Sequence, residues 1–144
     1  MPPQPCTLVL LGPLPPGPQA GLEPLARRFG ALLLGVDEPE RQLALGLAAV
    51  TPLGPPPLGG IVAALALTQD GHLLVVEHAA ALSSLALLER LATHADDADV
   101  VLAERGRLVP GRYRRSCARP LERALRDGRL DSAAALRGLK VAVS

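Results

Sequence analysis

Tryptophan is absent from these 144 residues, and Phe29 and Tyr113 are the only aromatic side chains. Single-stranded nucleic acid is held by stacking bases on several such rings, so that mode of binding is excluded. An excess of one charge is also missing. Lys and Arg together number 15 against 14 Asp and Glu, a net charge of +1. That balance gives no basic field for nucleic acid and no polybasic patch for a membrane surface. Cysteine is scarce: Cys6 and Cys117 have no metal-ligand spacing and read as free thiols in a reducing cytoplasm. The longest apolar runs, Leu43 to Val50 and Ile61 to Leu67, fall far short of the roughly 20 residues that span a bilayer. The opening Met1-Pro2-Pro3-Gln4-Pro5 has no basic stretch of the kind that starts a secretory signal. The expected location is cytoplasmic.

What the chain does have is leucine, valine and alanine, enough to build one domain over residues 1–144 around an aliphatic core. The Pro-rich residues 1–6 are expected to be loose. Thr7 to Leu11 is a continuous apolar run closed by Gly12-Pro13, as a buried parallel strand would be. Pro13 to Pro18 holds four prolines and is a loop. Leu22, Leu25, Ala26 and Phe29 carry helical spacing, with Pro24 in the first turn and Gly30 at the end. Ala31 to Val36 is a second apolar strand. Asp37-Glu38-Pro39-Glu40 is a helix start, and the helix is expected to run to about Val50.

Thr51 to Pro57 is a Pro-rich loop. Leu58 to Thr68 is the next helix, and a turn at Asp70-Gly71 leads to the strand His72 to Val76. Ser83 or Ser84 caps a helix reaching about His94, with Leu85, Leu88, Leu91 and Ala92 on one face. Asp99 to Ala103 is a strand and Arg107 to Tyr113 an extended segment. Pro120 to Arg126 is helical, Asp131 caps a short helix from Ser132 to Leu136, and Lys140 to Val143 is a last strand. Strands alternating with helices predict an α/β fold, a mostly parallel sheet covered on both faces.

Several of these segments, taken in order, resemble the molybdenum cofactor guanylyltransferases. Pro56-Pro57-Leu58-Gly59-Gly60 and the small-residue helix after it are similar to that family's Gly-Pro-Leu-Ala-Gly and its helix. Ala98 to Ala103 resembles the strand after the central helix. Val109-Pro110-Gly111-Arg112-Tyr113-Arg114-Arg115-Ser116 resembles the segment that ends Leu-Tyr-Arg-Arg-Ser. Leu121 to Arg129 resembles the next helix and turn, and Leu136 to Val143 the closing strand. The similarity covers residues 22–143. It implies a three-layer α/β/α nucleotidyltransferase-like domain, shortened at its N-terminal end. It also implies transfer of GMP from GTP to molybdopterin, with Mg²⁺ as cofactor and pyrophosphate released.

Two segments depart from the family pattern. The family's first loop is rich in backbone N–H groups and carries basic side chains, a cradle for phosphates. Here four of the six residues from Pro13 to Pro18 are prolines, which have no N–H, and no Arg or Lys precedes Arg27. The family also ends the strand after its Gly-rich turn in Cys-Asp-Met-Pro. This chain has Glu77-His78-Ala79-Ala80, and imidazole is a poor ligand for Mg²⁺, which prefers hard oxygen donors.

The candidate ligand-binding residues are Gly12, Asp37, Gly59, Gly60, Arg112 and Arg114, and the candidate metal residues are Glu77 and His78. Each has a plainer reading. Asp37 suits a helix cap, and Glu77 and His78 suit a solvated strand end. Gly59 and Gly60 suit close packing of a helix on a sheet, and Arg112 and Arg114 suit a solvated face. Cys117 has no neighbour in sequence that would make it a nucleophile. One reading of the whole is a guanylyltransferase-like enzyme lacking its phosphate loop and metal aspartate. The alternative is a non-catalytic domain on the same fold that binds a cofactor, nucleotide or protein. A third is a plain interaction domain whose apolar surface is covered by a homodimer.

Overall fold

The computed structural model describes residues 6–11, 32–35, 48–49, 53–67, 71–77, 85–93 and 97–144. Seven strands among them form one sheet: β1 (Cys6–Leu11), β2 (Leu32–Gly35), β3 (Ala48–Ala49), β4 (His72–Glu77), β5 (Val100–Leu102), β6 (Gly111–Arg114) and β7 (Val141–Val143). Their order across the sheet is β3-β2-β1-β4-β6-β5-β7. Only β6 runs against its neighbours, as the antiparallel pairings with β4 and β5 show. The others are parallel. The mostly parallel sheet expected from alternating apolar strands and helices is therefore present.

Four α-helices are described: α1 (Leu58–Leu67), α2 (Leu85–Ala92), α3 (Ala118–Arg126) and α4 (Ser132–Ala135). Strand alternation sorts them into layers. Leu73 and Val75 of β4, Val100 and Leu102 of β5 and Tyr113 of β6 share one pleat face and one hydrophobic cluster. Ile61, Val62, Leu65 of α1 and Leu121, Ala124 of α3 complete that cluster. The opposite face buries Leu74, Val76 and Val101, and α2 covers it with Leu88 and Leu91. Helix α1 is buried from Leu58 through Leu65, and its alanines and glycines let it lie close to the sheet.

The short helix at Asp131 forms as expected, and the aspartate side chain accepts a hydrogen bond from the Ala134 N–H at 2.9 Å. Asp131→Ala is expected to lower stability by about 1 kcal/mol, read from the urea midpoint. An unchanged midpoint would count against the cap.

One expectation is corrected. The helix predicted from Asp37 to about Val50 does not extend that far, because Ala48–Ala49 is strand β3. It lies parallel beside β2, with Ala48 opposite Leu33 and Ala49 opposite Leu34. The run Leu43 to Val50 is apolar throughout, and a run without polar breaks carries no period to separate helix from strand. The Pro13–Pro18 loop, the helix predicted over Leu22 to Phe29, and Gly12, Asp37 and His78 lie outside the described residues.

Candidate functional site

In an open parallel sheet the carboxyl ends of the strands form one edge, and ligands bind along it. Here β1, β2 and β4 end together: Leu11 pairs with both Gly35 and Glu77. The chain leaves β1 at Leu11 toward Gly12, β2 at Gly35 toward Asp37, and β4 at Glu77 toward His78. Helix α1 joins β3 to β4, and β4 begins at the opposite edge with His72 beside Cys6. The N-terminus of α1, with Gly59 and Gly60, therefore lies at the carboxyl edge. The β5–β6 loop is there too, closed by the Ala103 N–H bonding to the Pro110 carbonyl at 3.1 Å.

The turn that opens α1 is folded upon itself. The Leu53 N–H donates to the Gly59 carbonyl at 3.1 Å, and the Gly59 N–H donates to the Pro55 carbonyl at 2.9 Å. Gly59 faces the backbone of Gly54 so closely that a Cβ would lie 2.1 Å from the Gly54 oxygen. The close approach that this glycine permits is to its own chain. Its N–H is already taken, and Pro55, Pro56 and Pro57 have none to offer. Few backbone donors of this turn remain for a phosphate.

Arg112 and Arg114 share a face of β6, as expected from their spacing, yet they do not join the carboxyl edge. Arg112 is 4% exposed. Its guanidinium donates to the carbonyls of Leu91 at 3.1 Å and Ala92 at 3.5 Å, closing the C-terminal end of α2. A cation there also meets the negative end of the helix dipole. Arg114 pairs with His72 at the far end of β4. Five residue steps along β4 separate that position from Glu77, about 17 Å at the usual rise.

Cys117 is buried and its thiol contacts the Asp99 carbonyl at 3.3 Å. Burial, and then the Asp99 carboxylate, push the thiol up to about 11, so it is protonated at neutral pH and no nucleophile. Among the described residues no three His, Cys, Asp or Glu side chains gather to hold a metal ion. Two described carboxylates beside β5 are engaged structurally: Asp99 accepts from the Lys140 backbone N–H at 2.9 Å, and Asp97 pairs with the Lys140 ammonium. No described helix is long and apolar enough to cross a membrane.

No protein-family model matches the chain, and no curated protein matches it in sequence. Solved structures match its architecture. Molybdopterin-guanine dinucleotide biosynthesis protein A from Archaeoglobus fulgidus superposes with a TM-score of 0.70 at 20% identity, over 96% of this chain and 82% of that one. The chain has a nucleotidyltransferase-like fold. A protein of Aquifex aeolicus VF5 superposes with a TM-score of 0.67 at 11% identity, over 96% of this chain and 84% of its own. The bifunctional IspDF of Campylobacter jejuni gives 0.66 at 14% identity, over 96% of this chain. This chain spans about half, 49%, of that bifunctional protein.

Sequence reasoning missed two features of this fold. Arg112 serves a helix end 20 residues earlier in the chain. His72, the first residue of β4, stands directly across from Arg114. The pairing register of β4 with β6 creates both, and no local pattern in either segment specifies that register.

Proposed function

We propose that this chain is a nucleotidyltransferase-like protein of the molybdenum cofactor guanylyltransferase type, with GTP and molybdopterin as its ligands. Its seat is the carboxyl edge of β1, β2 and β4, built from Gly12, Asp37, Gly59, Gly60, Glu77 and His78. Its Mg²⁺-dependent transfer is strongly reduced. The observation that carries this reading is the turn before α1, at the ligand edge of the fold but with the Gly59 N–H bonded to Pro55. The proline-filled loop after β1 adds to it. Each charge-assisted hydrogen bond missing from a phosphate lowers binding by about 1.5–3 kcal/mol, roughly 10–100-fold in Kd. The donors at the end of β4 fit Mg²⁺ poorly, since His78 offers a nitrogen where a hard oxygen is preferred.

Titration calorimetry with GTP, with and without Mg²⁺, tests the reading. Weak binding that Mg²⁺ barely strengthens is expected. His78→Asp is expected to restore dependence on Mg²⁺, and Asp37→Ala to weaken GTP binding further. Micromolar GTP affinity requiring Mg²⁺ in the parent protein would overturn the reduced-transfer reading. Unchanged binding in both variants would remove the site assignment.

A further inference from the structure

We infer that β7 is an interface with a second copy of this chain, the two β7 strands pairing antiparallel across a two-fold axis at Ala142. Strand β7 is the last of the sheet, with β5 on one side and no described strand on the other. The Val100 N–H donates to the Lys140 carbonyl at 3.1 Å, and the Ser144 N–H donates to the Leu102 carbonyl at 2.8 Å. Backbone groups alternate in direction along a strand, so Lys140, Ala142 and Ser144 face β5. The N–H and C=O groups of Val141 and Val143 therefore point out of the sheet, an open template for another strand.

The same two residues bring apolar side chains to the surface. Val141 pairs with Val100 and Val143 with Leu102, so both valines lie on the face of the sheet that α3 covers. They nevertheless stay 39% and 41% exposed. A sheet edge is commonly guarded by charged side chains, proline or a bulge. Apart from its shortness β7 has no such guard, since its residues are Val141, Ala142 and Val143. The charge nearest in sequence, the Lys140 ammonium, is paired with Asp97 of the same chain.

Register names the occupant. An antiparallel pair centred on Ala142 sets Val141 opposite the partner's Val143, and symmetry repeats that pair. Opposed residues in antiparallel strands alternate between pairs that exchange both hydrogen bonds and pairs that exchange none. The valine pairs are the exchanging ones, because their backbone groups point outward. Every outward donor and acceptor of β7 is then used. Ala142 meets its own copy in the non-exchanging pair, the closer kind at about 4.5 Å between Cα atoms, where a methyl side chain fits. The valines form two β-branched cross-strand pairs on one face. The strand is thus complementary to itself, as an isologous two-fold interface requires. Three residues per strand make a small contact at the weak end of interface sizes, so a Kd of about 0.1–1 mM is expected.

Sedimentation equilibrium of the whole chain, from about 10 µM to about 1 mM, tests the pairing. The mass is expected to rise from one chain toward two. Val143→Pro is expected to hold it at one chain: it removes an outward N–H and leaves the ladder to β5, so it should melt with the parent. The double change Val141→Lys and Val143→Lys keeps the backbone donors and should also stay single. Mixing that protein with Val141→Glu and Val143→Glu should restore the dimer, since each lysine then faces a glutamate. Ala142→Cys is expected to cross-link two chains on mild oxidation, and Val143→Cys is not. A parent that stays at one chain near the top concentration overturns the proposal, leaving the edge to solvent or to a strand of another protein. A dimer that survives the lysine changes, a lysine and glutamate mixture that stays single, or cross-linking through Val143→Cys alone overturns it as well.

Discussion

Gly59→Ala is expected to destabilise this protein by about 3 kcal/mol, the upper end of the usual overpacking range. The sign is the informative part. Inside an ordinary helix, glycine to alanine gains roughly 0.5–1 kcal/mol, because alanine loses less backbone freedom on folding. Here the added carbon would sit 2.1 Å from the Gly54 oxygen, 2.4 Å from its carbonyl carbon and 2.6 Å from its nitrogen. All three atoms are backbone, so no rotamer change relieves the overlap. The turn would have to move away from α1, stretching the Leu53–Gly59 and Gly59–Pro55 hydrogen bonds. Gly54 cannot retreat freely, since Leu125 of α3 packs where its own Cβ would lie, 2.8 Å from the nearest methyl. For a domain of this size the loss corresponds to a fall in Tm of roughly 10 °C. Gly71→Ala is the control: nothing lies within 4 Å of its added carbon, and it should melt with the parent. A Gly59→Ala protein melting within about 2 °C of the parent would show that the turn is not held as described.

The same turn marks how far sequence reasoning reaches. Leu58–Leu67 was legible as a helix because a proline-rich loop precedes it and small apolar residues fill it. The strands β1, β2, β4 and β5 were legible as short apolar runs between turn signals, and Asp131 as a cap by its position before Ser132. These are local signals, set by propensity, capping and the missing N–H of proline. The edge strand β3 was not legible, since an unbroken apolar run presents the same composition to a helix or a sheet. Register was not legible either, and the placement of Arg112 and Arg114 depends on it. Arg112 and Arg114 could be placed on one face by alternation alone. Which end of the sheet that face occupied, and that α2 would present its last carbonyls to Arg112, followed from the antiparallel insertion of β6 between β4 and β5. Tertiary pairing decides such matters, with no trace in the segment itself.

Tyr113→Ala should lower stability by about 3–5 kcal/mol, a large part of the total for a domain of this kind. Tyr113 is fully buried, the only aromatic ring among the described residues, in a core otherwise built from aliphatic side chains. It lies between Leu73 on β4 and Val100 on β5. Gly111 makes room for it, since a Cβ there would meet the ring at 3.1 Å. Its hydroxyl donates to the Leu108 carbonyl at 2.5 Å, tying the β5–β6 loop to the core. Burial, and then the neighbouring Cys117, push its pKa far above the ordinary phenol value, so it stays a neutral donor at any working pH. Tyr113→Phe separates the two roles. It keeps the ring and leaves the Leu108 carbonyl without this donor, a loss of about 1–2 kcal/mol. The phenylalanine variant should also speed amide exchange in residues 104–110 while the central strands stay protected. If Tyr113→Phe proves as damaging as Tyr113→Ala, the hydroxyl rather than the ring dominates, and packing in this core is looser than its burial implies. If neither variant changes exchange in the loop, the Tyr113–Leu108 bond does not anchor the carboxyl edge. The loop would then move independently of the sheet it borders.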